Sequence, residues 1–185
     1  FNIASKNSRT IVPAGNNYSY SDGDQWFDWS PDSKWLLFNY LQPNHWMDEV
    51  GIAPADGKGP IRNISENGYD DSAPRWMAGG KMIIFSSWRD GMKSHGSWGA
   101  ESDIYALFPT REAFDRFHLS KHELALLKEK EDKDKKDKEA AKDDKKKKTA
   151  AELEKAKADS LAKTLVKIEF ENLPERKARL TLHSS

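Results

Sequence analysis

Serine chemistry is the first kind of catalysis that the residue types of this sequence suggest. A serine nucleophile needs a base and an oxyanion hole, and many hydrolases expose it on a Gly-x-Ser-x-Gly turn. That pattern is absent, and the nearest string is 96–99, which contains Ser97 and directly follows His95. We interpret this Gly- and Ser-rich string as a hairpin loop with His95 facing solvent. We therefore expect neither a catalytic centre nor a cofactor site in this chain.

Two histidines have the spacing of zinc ligands on a helix. His118 and His122 are four residues apart at the start of a predicted helix. A zinc-protease helix carries Glu directly after the first His and needs a further ligand, whereas Leu119 follows His118 here. We interpret the two histidines as structural residues of a helix start and expect no zinc site.

Four aspartates suggest calcium, which prefers a dense array of oxygen ligands. They are Asp22, Asp24, Asp70 and Asp71, and they lack the spacing of an EF-type loop. Asp24 and Asp71 also recur at the repeat period described below. Capping of backbone groups in repeated loops is therefore the favoured interpretation, and we expect no bound metal.

Arginine and tryptophan residues in the loops are candidates for peptide binding. Arg75 and Arg89, together with His95, are placed to meet a peptide carboxylate, since Arg offers a bidentate fork. Several tryptophans in loops or hairpin ends are placed to line a channel or a peptide surface: Trp26, Trp46, Trp88 and Trp98. This hypothesis rests on loop placement alone.

Short apolar runs bounded by turn residues predict the strands that position these loops. Residues 35–38 and 82–85 are apolar and too short for an ordinary helix. The two runs belong to a repeat with an offset of 47 residues, which also relates Trp29 to Trp76, Lys34 to Lys81 and Asp24 to Asp71. Residues 49–52 and 103–106 are predicted to be matching third strands. The triplet 179–181 echoes 63–65, which ends the first unit.

A repeat of this length is typical of four-stranded propeller blades. A single blade cannot bury both of its faces, so neighbouring blades must cover it. We predict an all-β partial propeller of about two four-stranded blades plus the start or outer strand of another, with a charged, partly helical insertion. We expect the sequence to be a fragment of a longer protein. Trp29 and Trp76 are assigned to packing between blades.

Composition divides the chain sharply. It has 185 residues with 30 Lys+Arg, 30 Asp+Glu and formal net charge +0, and all 7 Trp precede a charged stretch. A balanced charge gives no long-range attraction to nucleic acid. Cys 0 excludes disulfides and thiolate zinc sites. No run of about 18 apolar residues is present, so we predict no membrane span.

The charged stretch carries two capping boxes, at 120–123 and 149–152, and each precedes leucines. Residues 129–148 between them are almost free of apolar side chains. We expect two helical ends with a frayed middle. A solvated spacer is the favoured role, a helical-hairpin docking surface is the alternative, and acidic residues among the lysines disfavour a polybasic nucleic-acid arm.

These patterns give four segments. Residues 1–65 are predicted to form a blade with a preceding outer strand, and 66–120 a second blade. Residues 121–164 are the helical or flexible insertion, and 165–185 return to the propeller as strands. Within the last segment, 167–171 alternates polar and apolar residues, which predicts a half-buried strand, 171–175 a turn, and 179–182 a further strand.

The string 29–38 resembles the propeller repeat of tricorn-like proteases, of TolB proteins and of prolyl oligopeptidases. The usual pattern is Trp-Ser-Pro-Asp-Gly-Lys followed by an apolar strand. Ser33 replaces the Gly, and the second copy at 76–81 keeps only Trp, Gly and Lys. The residues assigned to this structural motif are Trp29, Pro31, Asp32, Trp76, Gly80, Asp24 and Asp71.

Residues 103–114, the Lys-rich insertion, and the strings 168–173 and 179–181 together are most similar to the amino-terminal propeller region of bacterial tricorn-like serine proteases. The resemblance implies a segment for substrate access and assembly, with the proteolytic centre outside this chain. It implies peptide or protein substrates, further blades and a protease core of the same chain as partners, and a homo-oligomer. It favours the periplasm, with the cytoplasm as the alternative. The alternatives are a non-enzymatic TolB-like binding propeller and the lid propeller of a prolyl-oligopeptidase-like enzyme.

Overall fold

The computed structural model describes residues 3–19, 25–93, 100–143 and 165–182. Within these ranges the chain is mostly β. The strands are β1 (Phe27–Trp29), β2 (Trp35–Leu41), β3 (Asp48–Pro54), β4 (Arg62–Asn63), β5 (Asp71–Met77), β6 (Met82–Ser87), β7 (Asp103–Leu107) and β8 (Lys177–Arg179). The helices are α1 (Arg111–Phe117) and α2 (Lys121–Asp143), and short 3-10 turns lie at Ala78–Gly80 and Leu173–Glu175.

The strands form two antiparallel four-stranded sheets, each in chain order, β1-β2-β3-β4 and β5-β6-β7-β8. The 47-residue repeat is also a repeat of pairing. Trp29 pairs with Leu36 in the first sheet, and Trp76 pairs with Ile83 in the second. Both apolar runs therefore form the second strand of a sheet, as the turn and strand patterns predict.

Apolar side chains of both sheets form one core. The first sheet contributes Leu37, Val50, Ile52 and Ile64, and the second contributes Trp76, Ile83, Phe85, Tyr105 and Leu107. β5, the first strand of the second sheet, contacts β1, β2 and β3. Direct hydrogen bonds support this packing, because the Trp76 amide donates to Asp28 Oδ2 at 2.8 Å. Trp26 Nε1 also donates to the Pro74 carbonyl at 2.8 Å.

The turn before β2 is fixed by its own side chains. Ser30 Oγ accepts hydrogen bonds from the amides of Lys34 (3.1 Å) and Trp35 (2.9 Å). Asp32 Oδ1 also accepts from the Lys34 amide at 3.1 Å. Ser33, which stands where the usual pattern has Gly, adopts a left-handed φ of 57°. The Ser-Pro-Asp string thus makes the tight turn that its residue types predict.

Both motif copies meet the start of the returning segment at Val166. The Val166 amide donates to Asp32 Oδ2 at 2.8 Å. Gly80 has a φ of +89°, and a Cβ at this position would lie 2.5 Å from Val166 Cγ2. Only glycine allows both that backbone conformation and this approach.

A buried arginine ties the chain before the insertion to the chain after it. Arg176 Nε donates to the Phe108 carbonyl at 3.0 Å, and its two terminal nitrogens donate to the carbonyls of Glu171 (2.9 Å), Pro109 (3.3 Å) and Glu169. The Glu169 amide also donates to the Pro109 carbonyl at 2.9 Å. The planar guanidinium satisfies several carbonyls that lie outside any sheet. We call this arrangement the neck.

The returning segment differs from its predicted structure in one element. Residues 167–171 form no strand, although Ile168 and Phe170 pack against the core and the polar residues between them are exposed. Their backbone is held by the neck and not by a sheet ladder, so the alternating pattern arises without a strand. The turn at Leu173–Glu175 forms, and the last strand lies at Lys177–Arg179, slightly earlier than predicted.

Residues Phe114–Leu165 form a separate unit. Its first capping box is present, since Ser120 Oγ accepts from the Glu123 amide at 3.3 Å while Glu123 Oε2 accepts from the Ser120 amide at 2.9 Å. Arg116 pairs with Glu131 at 2.5 Å. α2 continues to Asp143, so the frayed middle predicted from 129 onwards is wrong for 129–143. The second capping box lies outside the described residues.

Candidate functional site

The loops at one end of both sheets gather the charged residues of the fold. These loops join β2 to β3, β4 to β5 and β6 to β7. Five of the seven buried polar or charged residues that the structure describes lie next to them: Glu49, Ser65, Asp71, Ser87 and Asp103. We call this end of the sheets the carboxylate edge.

A carboxylate–hydroxyl pair recurs in both sheets at this edge. In the first sheet, Ser65 Oγ donates to Glu49 Oε2 at 2.5 Å and accepts from the Val50 amide at 2.9 Å. In the second sheet, Thr181 Oγ1 donates to Asp103 Oδ1 and accepts from the Ile104 amide, at 2.8 and 2.9 Å. Each pair joins the start of the third strand to the residues that follow the fourth. We call each pair a clasp.

Asp71 lies between the sheets and is completely buried. Its Oδ2 pairs with Arg89 at 2.8 Å and also accepts from Asn67 Nδ2. Burial raises the pKa of Asp71, while hydrogen bonding from Ser87 and the charge of Arg89 lower it in part. Arg89 is held in place by Ser87 Oγ at 3.0 Å and by the ring of Tyr105, whose centroid lies 4.7 Å away.

Two further cations complete this buried layer. Arg179 pairs with Asp103 at 2.5 Å. Lys177 Nζ donates to the Ser65 carbonyl at 3.0 Å, and burial together with the charge of Arg89 lowers the pKa of Lys177. Three carboxylates (Glu49, Asp71, Asp103) and three cations (Arg89, Lys177, Arg179) therefore share the layer, as buried charges require.

Asp48 and Asp70 lie beside this balanced layer but are not part of it. Among the described residues neither forms an ion pair. Asn39 Nδ2 donates to Asp48 Oδ2 at 3.0 Å. Burial, followed by the charges of Asp48 and Asp71, raises the pKa of Asp70 to about 6. Burial also raises the pKa of Asp48. The local field is therefore negative.

Exposed apolar side chains precede both of these carboxylates in the chain. Trp46 is 81% exposed, and its ring meets the ring of Tyr18 edge to face at 6.5 Å. Met47 is 43% and Tyr69 44% exposed, and they directly precede Asp48 and Asp70 in the chain. Lys93 lies over the Tyr69 ring, with Nζ 5.0 Å from the centroid. We define the acidic rim as Tyr18, Trp46, Met47, Asp48, Tyr69 and Asp70.

The residues predicted to contact a peptide carboxylate have different surroundings. Arg89 is nearly buried, and its guanidinium is used by Asp71 and Ser87. Arg75 is exposed and lies over the Trp26 ring, 4.6 Å from the centroid. Trp88 is half-buried, and its amide donates to the Asp70 carbonyl at 3.1 Å. His95 lies outside the described residues. Peptide contact by these side chains stays a prediction, with Arg75 the more accessible cation.

The candidate metal ligands do not assemble in the described part of the chain. Within it, no three His, Asp or Glu side chains are placed to hold an ion. His118 Nδ1 lies 2.9 Å from the Phe114 carbonyl, and its ring packs on Phe114 and Phe117. Asp22, Asp24 and Ser97 lie outside the described residues. No helix that the structure describes has the length and apolar character to cross a bilayer.

The clasps and the neck were missed by sequence reasoning. The echo of 63–65 in 179–181 was the available signal for the clasps, because it places a hydroxyl at the same position of both repeats. No local sequence pattern indicates the role of Arg176. Its acceptors are backbone carbonyls from two segments that lie far apart in the sequence, one before the insertion and one after it.

No family model and no curated protein matches the chain. Among solved structures, a protein assigned as TolB from Agrobacterium tumefaciens matches with 19% identity and a TM-score of 0.36. The match covers 44% of this chain and 28% of that one. A likeness at this level carries no inference about fold or function.

Proposed function

We propose that the two sheets are adjacent blades of a β-propeller, and that the chain is a non-catalytic, peptide-handling segment of a larger tricorn-like serine peptidase. The observation that carries the proposal is the unequal burial of equivalent residues. Trp76 is 8% exposed because its face of the second sheet meets the first sheet, whereas Trp29, its counterpart, is 45% exposed.

At a second pair of equivalent positions, the residue of the first sheet is the more buried one. Leu37 is fully buried against the second sheet, whereas Ile84, its counterpart, is only half-buried. Each sheet thus has one face against the other sheet and an accessible apolar side chain on its opposite face, Trp29 in the first sheet and Ile84 in the second. Further four-stranded sheets on both sides would cover those faces, and such a stack of blades is what a propeller closes into a ring.

The peptidase part of the proposal is supported by the sequence resemblance alone. The buried carboxylates at the carboxylate edge are used by internal partners, which leaves them unsuited to act as a catalytic base. The proteolytic centre would therefore lie elsewhere in the parent protein. The carboxylate edge, with its exposed loops, would be the part of these blades that meets substrates.

Paired tryptophan variants test the propeller. In the chain 1–185, we expect Trp76→Ala to lower the free energy of unfolding by about 3–5 kcal/mol, because it empties a buried site. Trp29→Ala should cost less than about 1 kcal/mol there, since the side chain is half exposed. In the full-length parent protein, both variants should lower the stability of the propeller substantially. The measurements are urea unfolding and differential scanning calorimetry.

Trp46→Ala, which removes an exposed aromatic residue outside the sheets, is the control and should be nearly neutral in both proteins. A Trp29→Ala variant that stays harmless in the full-length protein would overturn the propeller. The peptidase part has its own readout, which is peptide hydrolysis by the full-length protein and its labelling by a serine-directed phosphonate. Absence of both would favour the non-enzymatic binding propeller.

A further inference from the structure

We infer that the acidic rim is a docking surface for peptide segments that carry a lysine or arginine next to an apolar side chain. The inference rests on the proposed function and deepens it by naming the class of peptide. It differs from the expectation from the loop arginines, because Asp48 and Asp70 form no ion pair among the described residues, whereas the nearby cations are bound by other groups of the fold.

The apolar half of the surface is made by side chains that the fold leaves in water. Trp46, Met47 and Tyr69 are all at least 43% exposed, and each belongs to a loop at the carboxylate edge. Large aromatic and Met side chains are enriched in the centres of protein interfaces, where they provide most of the binding energy. Tyr18 supports the Trp46 ring from the side.

The acidic half of the surface has a fixed position. Asp48 accepts from Asn39 Nδ2, and Asn39 Oδ1 accepts from the Ala73 amide at 3.0 Å, which links the start of β3 to β5. The Asp70 carbonyl is held by the Trp88 amide. The Asp48 carboxylate and the Asp70 backbone are therefore held in place, which reduces the ordering cost of binding a cation.

Charge complementarity selects the occupant. The groups that act on Asp70 are Asp48 from β3 and Asp71 from β5, and both are carboxylates. The nearby cations Arg89 and Lys177 are used by Asp71 and by the Ser65 carbonyl. Lys93 lies over Tyr69 and donates to the Trp88 carbonyl. An ammonium or guanidinium from a partner would relieve the repulsion between the carboxylates, whereas an acidic peptide would increase it.

The test uses the chain 1–185 and three labelled peptides of identical length. One carries two Lys–Leu pairs, and in the others Gln or Glu replaces Lys. Fluorescence anisotropy at pH 7.5 should show the Lys peptide binding at least about tenfold more tightly than the Glu peptide. Asp70→Asn and Trp46→Ala should each weaken the Lys peptide by about tenfold. The matched controls Asp56→Asn, an exposed carboxylate at the opposite end of the sheets, and Phe117→Ala, an exposed aromatic on α1, should leave binding unchanged.

The pH dependence provides an independent readout. With a pKa of about 6, Asp70 is about one-tenth ionised at pH 5, so the affinity for the Lys peptide should fall by about tenfold from pH 7.5 to pH 5. Asp70→Asn should flatten this dependence, leaving only a residual slope from Asp48.

Equal binding of the Lys and Glu peptides would overturn the inference, as would an unchanged affinity in Asp70→Asn. Displacement of the Lys peptide by micromolar calcium would also overturn it, because the rim would then be a cation site. None of these results would contradict the propeller proposal, which is tested separately by the Trp29 and Trp76 variants. Failure of those variants, with binding preserved, would reject the propeller and keep the docking surface.

Discussion

Among single residues, Asp70 differs most from its neighbours in how its charge is compensated. Asp71 has Arg89 at 2.8 Å and Asp103 has Arg179 at 2.5 Å, whereas Asp70 faces two further carboxylates. A carboxylate that is partly removed from water and repelled by like charges favours its protonated form. The fold therefore bears an electrostatic cost at neutral pH that a partner with a positive charge would remove.

Because the ionised Asp70 carboxylate destabilises the fold, we predict that the effect of Asp70→Asn on stability depends on pH. The folded pKa of about 6 lies above the ordinary value of 3.8, so the folded protein holds the proton longer than the unfolded chain. The free energy of unfolding should therefore decrease as the pH rises from about 4 to about 6. After allowance for partial exposure, Asp70→Asn should increase stability by about 1 kcal/mol at pH 7.5 and by almost nothing at pH 4.

Urea unfolding at the two pH values measures this effect, with Asp56→Asn as the charge-matched control. The pKa values of Asp48 and Asp71 are also raised, so part of the pH dependence should remain in the variant. A gain in stability of the same size at both pH values would contradict the electrostatic explanation.

At the scale of elements, the two clasps hold the outer half of each sheet together. β4 has only two residues and β8 only three, so ladder hydrogen bonds alone give these strands little support. The hydroxyl that follows each strand joins it to a buried carboxylate and to a backbone amide of the third strand. Side-chain hydrogen bonds thus compensate for short pairing.

Removing the hydroxyl of the first clasp should destabilise the first sheet. Ser65→Ala leaves the buried Glu49 carboxylate and the Val50 amide without this partner, and we expect a loss of about 1–3 kcal/mol in the free energy of unfolding. Thermal and urea unfolding measure the loss. Ser86→Ala on β6, a half-buried serine, is the control and should change stability by less than about 0.5 kcal/mol. Equal effects of the two variants would show that the clasp contributes nothing specific.

The strands and the acidic rim differ in how well the sequence predicts them. Apolar runs, turn residues and the 47-residue offset were sufficient to predict the second and third strands of each sheet, because these features are local and repeated. The acidic rim was not predicted, since Asp48 and Asp70 meet only through the pairing of β3 and β5 with other strands. Arg89 was expected to be accessible, but it pairs with the buried carboxylate of Asp71. The burial of Asp71 depends on tertiary packing, which a local sequence pattern does not indicate.

For the whole molecule, the neck joins the two chain segments that flank the insertion. Arg176 and the Glu169–Pro109 hydrogen bond hold the departing and returning chains together before the insertion unit begins. We therefore expect the sheets to need no contribution from Phe114–Leu165 to bring β8 beside β7. A spacer that is dispensable for the fold is consistent with the absence of apolar residues along most of α2.

Replacing 114–165 by a flexible linker of about six Gly and Ser residues should leave the sheets folded. We expect the free energy of unfolding to stay within about 1 kcal/mol of the parent chain, because the neck already fixes both ends. Urea unfolding followed by tryptophan fluorescence is the measurement, since all seven tryptophans lie outside the replaced segment. As a control, Arg176→Met in either background should be clearly destabilising. Loss of cooperative unfolding after the replacement alone would show that the insertion supports the sheets.

The two clasps are alike in geometry but enclose very different lengths of chain. Glu49 and Ser65 are 16 residues apart, whereas Asp103 and Thr181 are 78 apart. Bringing together the ends of the longer segment costs about 1.4 kcal/mol more in chain entropy. The first sheet can thus assemble from residues that are close in the chain. The second sheet is complete only after the segment that follows the insertion has paired with it. We therefore expect its outermost strand to pair last during folding and to detach first in local unfolding.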